Sequence, residues 1–148
     1  MSKKKPEFPT MKSRPLTYIH DIPVLRVKRY WDGLAEGKIY ATKCKSCGKL
    51  YYPPQGDCPE CLKSDMEWVE LTKEGVLETF VAAFLKPQGF EHFETPYIIA
   101  IARVPEGVRV MGLLKDIDYK DAKVGMRVEI STHIGEDGFP VIVFRPKE

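Results

Sequence analysis

Four cysteines confined to eighteen consecutive residues constrain this chain more than any other feature. Cys44-Lys-Ser-Cys47 is followed by ten intervening residues and then by Cys58-Pro-Glu-Cys61. A Cys-x-x-Cys turn points two sulfurs at one ion about 2.3 Å away, and two such knuckles close together make the tetrahedral four-thiolate set of a structural zinc ribbon. Gly48 after the first knuckle and Pro59 within the second suit tight turns. A segment of about 25 residues has no core of its own, and a structural zinc supplies roughly 10–16 kcal/mol toward folding in small peptides. The expectation is one structural Zn2+ per chain, held by Cys44, Cys47, Cys58 and Cys61. Four protein ligands leave no open coordination position, so the ion would fold the chain without acting as a Lewis acid. Rubredoxin-type iron fits the same ligand set but wants an electron partner. Disulfides do not suit a cytosolic chain, and a redox dithiol wants a single Cys-x-x-Cys in a βαβ setting.

The charge pattern narrows the classes of partner. The chain has 148 residues, with 23 Lys+Arg against 21 Asp+Glu. Residues 1–14 hold five positives and one negative, so residues 15–148 carry 18 positives and 20 negatives. Four thiolates around one divalent zinc make that body more acidic still. Nucleic-acid binders draw affinity from neutralising phosphates and show a basic face, so an acidic body disfavours that role, a local patch excepted. The basic tail reads first as a solvated arm. No apolar run reaches the length of a membrane span, and no apolar stretch follows the basic N-terminus as a secretory signal would require. A soluble, cytoplasmic protein is expected.

Along the chain, four segments are predicted: a basic N-terminal arm over 1–20, a helical segment over 21–38, a zinc ribbon over 39–66 and an OB-type barrel over 67–148. Asp21 suits an N-cap, Pro23 the first turn and Gly37 a stop. Val24, Val27, Trp31 and Leu34 recur at helical spacing, with Gly33 leaving open one helix or two. Beyond the ribbon, Glu67–Leu71 leads into Gly75–Leu85, and Tyr97–Val104, Val108–Lys115, Met126–Thr132 and Pro140–Arg145 follow with turn signals between them. The class is mainly β with an N-terminal helical segment. Five strands with no helix between them fit a five-stranded Greek-key barrel of the OB type, with an SH3-like barrel as the alternative. Gly112 suggests a bend or bulge. Lys86–Pro96 and Thr132–Phe139 would flank the ligand face of an OB barrel. The apolar Phe90, His92 and Phe93 in the first of these loops point to contact with a ligand, a partner or the ribbon.

The lead-in ending Leu34-Ala-Glu-Gly-Lys38, the ribbon CKSCGKLYYPPQGDCPEC and a barrel containing Thr95-Pro-Tyr97 resemble the zinc-ribbon/OB-fold acyl-CoA-associated proteins. The resemblance covers roughly residues 23–146. It implies a rubredoxin-like ribbon after an N-terminal helical hairpin, then an OB barrel. It also implies a companion role with thiolase-like or hydroxymethylglutaryl-CoA-synthase-like enzymes, with a CoA thioester at the shared site. The ribbon cysteines carry over; the family's Pro-Pro-Arg reads Pro53-Pro54-Gln55 here.

No CoA-contacting motif carries over by resemblance, so contacts are chosen on chemistry. CoA offers a flat ring, a long arm and phosphates, which call for aromatic surface and cations. Phe84, Phe90 and Phe93 supply the first; Arg103, Arg109 and Lys115, with Arg127, are strand-borne cations. Each of these also suits ordinary outward-facing solubility. Catalysis by the chain itself is not expected: its cysteines are committed to metal, and His20, His92 and His133 are scattered. The predicted function is a non-catalytic subunit that scaffolds a thiolase-type enzyme and contributes to its CoA site. The alternatives are a single-stranded nucleic-acid-binding module and a free-standing acyl-CoA carrier.

Overall fold

The computed structural model describes residues 9, 11, 13–14, 18–87 and 91–148. Most of the basic arm and Phe90 therefore lie outside the described residues. Helical spacing predicts a start at Asp21 and the resemblance implies a helical hairpin, but α1 runs only over Lys28–Ala35 and is the one helix among the described residues. Ile22 and Leu25 are 66% and 91% exposed, so these two gain little burial that would reward winding the segment ahead of α1. Pro23 adds to this by holding the residue before it extended. The stop is where the glycine predicts it. The Lys38 amide donates to the Gly33 carbonyl at 2.7 Å and the Gly37 amide to Leu34, with Gly37 at φ +79°. This is a Schellman termination.

The ribbon is a three-stranded antiparallel sheet in the order β2-β1-β3, formed by β1 (Tyr40–Cys44), β2 (Leu50–Tyr51) and β3 (Met66–Glu70). The sequence groups Glu67–Leu71 with the barrel strands; β3 instead pairs along its whole length with β1, Tyr40 opposite Glu70 and Cys44 opposite Met66. Thr42 is 2% exposed, and its hydroxyl donates to the Gln55 carbonyl and accepts from the Gln55 amide. That reciprocal pair fastens the stretch between the knuckles onto β1.

The barrel is closed in the order β4-β5-β6-β8-β7, with β7 returning to β4. Its strands are β4 (Glu74–Ala83), β5 (Tyr97–Arg103), β6 (Arg109–Leu114), β7 (Arg127–Ile134) and β8 (Pro140–Pro146). All neighbours are antiparallel except β6 and β8, which run parallel. This is the OB-type Greek key that the strand count predicts. The register shift lies between Leu77 and Thr79 in β4, not at Gly112. Gly112 serves another purpose: a Cβ there would sit 2.7 Å from the Ile142 carbonyl of β8. A strand bearing a side chain at that point could not approach closely enough to close the barrel.

Ribbon and barrel share one core. Leu34, Ile39, Ala41 and Leu71 join Leu77, Ala100, Val110, Val128, Ile130 and Phe144 in a single buried cluster. The Leu71 amide donates to the Ile39 carbonyl at 2.8 Å. The hydroxyl of Thr132 in β7 donates to the Leu34 carbonyl of α1 at 2.5 Å. The linker after β3 is held too, since the Thr72 amide and hydroxyl both donate to Glu106 on the β5–β6 turn at 2.7 Å.

Candidate functional site

The two knuckles are built alike. The Gly48 amide donates to the Cys44 carbonyl and the Leu62 amide to Cys58, at 2.8 and 2.9 Å. The Cys44 and Cys58 amides reach the carbonyls of Lys49 and Lys63 in turn, both at 2.9 Å. Gly48 and Leu62 occupy the same left-handed position, at φ +74° and +55°. The four sulfurs all lie within 4.8 Å of one another. Cys44 Sγ is 3.5 Å from Cys61 Sγ, and Cys47 Sγ is 3.6 Å from Cys58 Sγ. A tetrahedron with metal–sulfur bonds of about 2.3 Å has edges of about 3.8 Å, whereas a disulfide closes to about 2.05 Å. The spacing is that of ligands around an ion.

The electrostatics agree. Backbone amides of Cys47 and Ser46 hold the Cys44 thiol below its usual range. Cys58 is pulled down to about 6, first by the Tyr51 hydroxyl at 3.2 Å and then by the amides of Cys61 and Glu60. Cys61 is pushed up to about 12, first by its contact with Cys44. Two groups that favour thiolate crowd a third that resists a further negative charge, and a central cation relieves that conflict. The donor set therefore fits a metal ion in a closed site. Tyr51 was not expected among the site residues; its position between the knuckles, seven residues before Cys58, is the only sequence signal for it.

A second site opens at one end of the barrel. A cavity of about 740 Å³ lies between the loop after β4, the β7–β8 turn and the segment that follows β6. Phe93 and Lys115 line it, as do Tyr97, Tyr119, His92 and His133. Phe93 lies over both neighbours, with ring centroids 4.5 Å from His92 and 5.3 Å from Tyr97. Phe84 is 59% exposed and meets Tyr119 edge to face at 5.5 Å, so it borders the cavity through that ring. The lining also carries Glu94, Asp116, Asp118 and Glu136. Asp116 sits at φ +61° and accepts from Arg145 at 2.7 Å.

The expected contacts are thus divided. Antiparallel register sets Arg103 beside Arg109 at the far end of β5 and β6, where both pair with Glu78. Neither reaches the cavity, and Arg127 lies at that far end as well, opposite Val76. His92 and His133, scattered in sequence, come to one cavity instead.

A ribbon with a four-cysteine centre on a closed OB barrel defines a two-module class of protein, and comparison with known proteins identifies its family. Residues 31–67 match the model described as the ChsH2 rubredoxin-like zinc ribbon domain, and residues 68–133 the ChsH2 C-terminal OB-fold domain. A DUF35 domain-containing scaffold protein of Methanocaldococcus jannaschii is 35% identical over 76% of this chain and 81% of its own length. The benzoylsuccinyl-CoA thiolase subunit BbsA of Thauera aromatica is 29% identical over 98% of this chain and 97% of its own. A chain of the solved Ltp2–ChsH2(DUF35) aldolase superposes with a TM-score of 0.72 at 26% identity, covering 80% of this chain and 92% of that one. The chain belongs to the DUF35 family of zinc-ribbon/OB-fold proteins. Among the described residues, no helix is long and apolar enough to cross a membrane.

Proposed function

We propose that this chain is an accessory, non-catalytic subunit of a thiolase-type or hydroxymethylglutaryl-CoA-synthase-type enzyme. In this role it scaffolds the enzyme and lends a wall to its acyl-CoA site. The carrying observation is the clustering of all four sulfurs, which leaves the chain no thiol to form an acyl-enzyme bond. Relatives described as a scaffold protein and as thiolase subunits support the same role. Zn2+ is the ion proposed for the ribbon, bound by Cys44, Cys47, Cys58 and Cys61, where it supplies folding energy.

The barrel-mouth cavity suits one part of the thioester better than another. Among the described residues, Lys115 is the sole lysine or arginine lining it, against four carboxylates, of which Asp116 is already paired with Arg145. That balance repels phosphates and favours the uncharged arm of CoA, which would pass between the Phe93–Tyr97 and Tyr119 rings. Cations for the phosphates would then come from the enzyme. The same balance disfavours a nucleic-acid strand at this mouth. The test is to purify the assembled complex and compare it with the enzyme subunit alone. Activity should fall by an order of magnitude or more without this chain, and Phe93→Ala should raise the KM for the CoA thioester. Full activity and assembly without the chain would refute the scaffold role. An unchanged KM would refute the shared wall.

A further inference from the structure

The barrel's outer surface is uneven. On β7 the outward positions Arg127 and Glu129 are charged and exposed, as a solvated strand face should be. On β5 the inward residues Ile98, Ala100 and Ala102 are at most 5% exposed, yet the outward positions Tyr97, Ile99 and Ile101 are apolar too. A strand that reads apolar on both sides is one that expects cover on both sides. Register extends the face to its neighbours. Val81, Ile99 and Leu113 form one cross-strand row, and Ile101 lies opposite Met111 in the next. Val81 is 57% and Met111 63% exposed, so nothing among the described residues covers them. The helix α1 packs on β7, β8 and β1 instead. Contiguous exposed apolar surface of this kind marks an interaction site.

The two ends of the face specify its occupant. At one end Arg103 and Arg109 share the single carboxylate of Glu78, with side chains 57% and 64% exposed. One positive charge is left over at the rim for a carboxylate on the partner. At the other end Tyr97 and Leu113 also line the 740 Å³ cavity. A molecule seated on the face therefore abuts the cavity mouth. We infer that the outer face of β4, β5 and β6 docks the thiolase-type subunit, through an apolar patch with an acidic residue at its edge. This inference rests on the proposed function and specifies the surface that serves it. A second copy of this chain would bring the same metal-committed cysteines to the cavity and no reacting group.

The test starts from tagged full-length chain expressed in its native host, with any co-purified thiolase-type subunit identified by mass spectrometry and then purified. Affinity for that subunit is measured for the wild type, for Val81→Lys with Met111→Lys, and for Glu129→Lys on β7. The double variant should bind at least about 100-fold more weakly and the β7 variant within about twofold, at unchanged zinc content and melting temperature. A photo-crosslinking residue at position 111 in the otherwise unaltered chain should label the subunit, and one at position 129 should not. This second arm does not depend on the lysine variants folding. Failure of the wild type to capture a thiolase-type subunit overturns both readings. Capture undiminished in the double variant, without labelling from position 111, overturns the docking face alone. So does a wild-type homodimer in solution that the double variant turns into monomer.

Discussion

Replacing Cys58 with Ser probes how far the metal centre's influence reaches. Read as separate modules, ribbon and barrel should part cleanly, the first unfolding and the second surviving. The shared core predicts otherwise. Leu34, Ile39 and Leu71 are 3%, 1% and 2% exposed and pack in the same cluster as the barrel interior. Fully burying such a side chain contributes about 1.5–3 kcal/mol, so the three together amount to about 4–9 kcal/mol. If half of that cover is lost with the ribbon, the barrel loses about 2–4 kcal/mol, a large part of the 5–15 kcal/mol typical of a whole domain. The two tryptophans, Trp31 and Trp68, lie in α1 and β3, outside the barrel, so their fluorescence reports the ribbon side. Amide exchange along β5 reports the barrel. In the variant, fluorescence should show an unfolded ribbon, while β5 protection should drop by about two orders of magnitude, equivalent to about 2.8 kcal/mol and within that range. Protection of β5 within about 0.5 kcal/mol of the wild type beside an unfolded ribbon would refute the coupling.

Three further outcomes follow from the same geometry. Tyr51→Phe removes the hydroxyl that donates to Cys58 at 3.2 Å, and metal loss to a chelator should quicken by about tenfold with the fold intact. Leu62→Gly relieves a left-handed position where the side chain is 86% exposed and packs little, so stability should rise by about 1 kcal/mol in chemical denaturation; a loss would show that Leu62 holds the knuckle. Glu74 is held below its usual carboxylate range by the hydrogen bond and charge of Lys147. Stability from this pair is complete above the ordinary Glu value and lost as the pH falls through the lowered one. Glu74→Gln should flatten the melting temperature between neutral and acid pH, and about 1 M salt should shrink the difference, as expected of an exposed pair.

What could be read from the chain and what could not divides along the range of the interactions. The metal centre is legible because each Cys-x-x-Cys knuckle is a local turn whose chemistry lies within a few residues. Barrel strands are legible from alternation and from Pro105-Glu-Gly107, and their number selects the closed topology. Register is not local, and it cannot be read this way. Glu67–Val69 has no mark that assigns it to β1 across the knuckles, and the shift beside Glu78 is visible only once β5 lies alongside. Arg103 and Arg109 are candidate acyl-CoA or partner contacts in one dimension, and only pairing shows that they sit together at the end remote from Phe93 and Lys115. The helix was overextended for a different reason: Val24 and Val27 have the right period, while their neighbours Ile22 and Leu25 find nothing to bury against.

Closure of the barrel also limits how anything can recognise this protein. β4 is hydrogen-bonded to β5 through most of its length and to β7 at Glu74–Val76, so at that end the barrel offers no free backbone ladder for another chain to extend. The open edges are on the ribbon sheet, where β2 is two residues long and β3 carries the exposed Glu67 and Glu70. Short and charged edges resist templating of further strands, which protects the chain from runaway aggregation. Where the barrel is closed, binding is decided by side-chain shape and polarity, so a single outward residue there can alter the choice of companion without disturbing the scaffold that presents it.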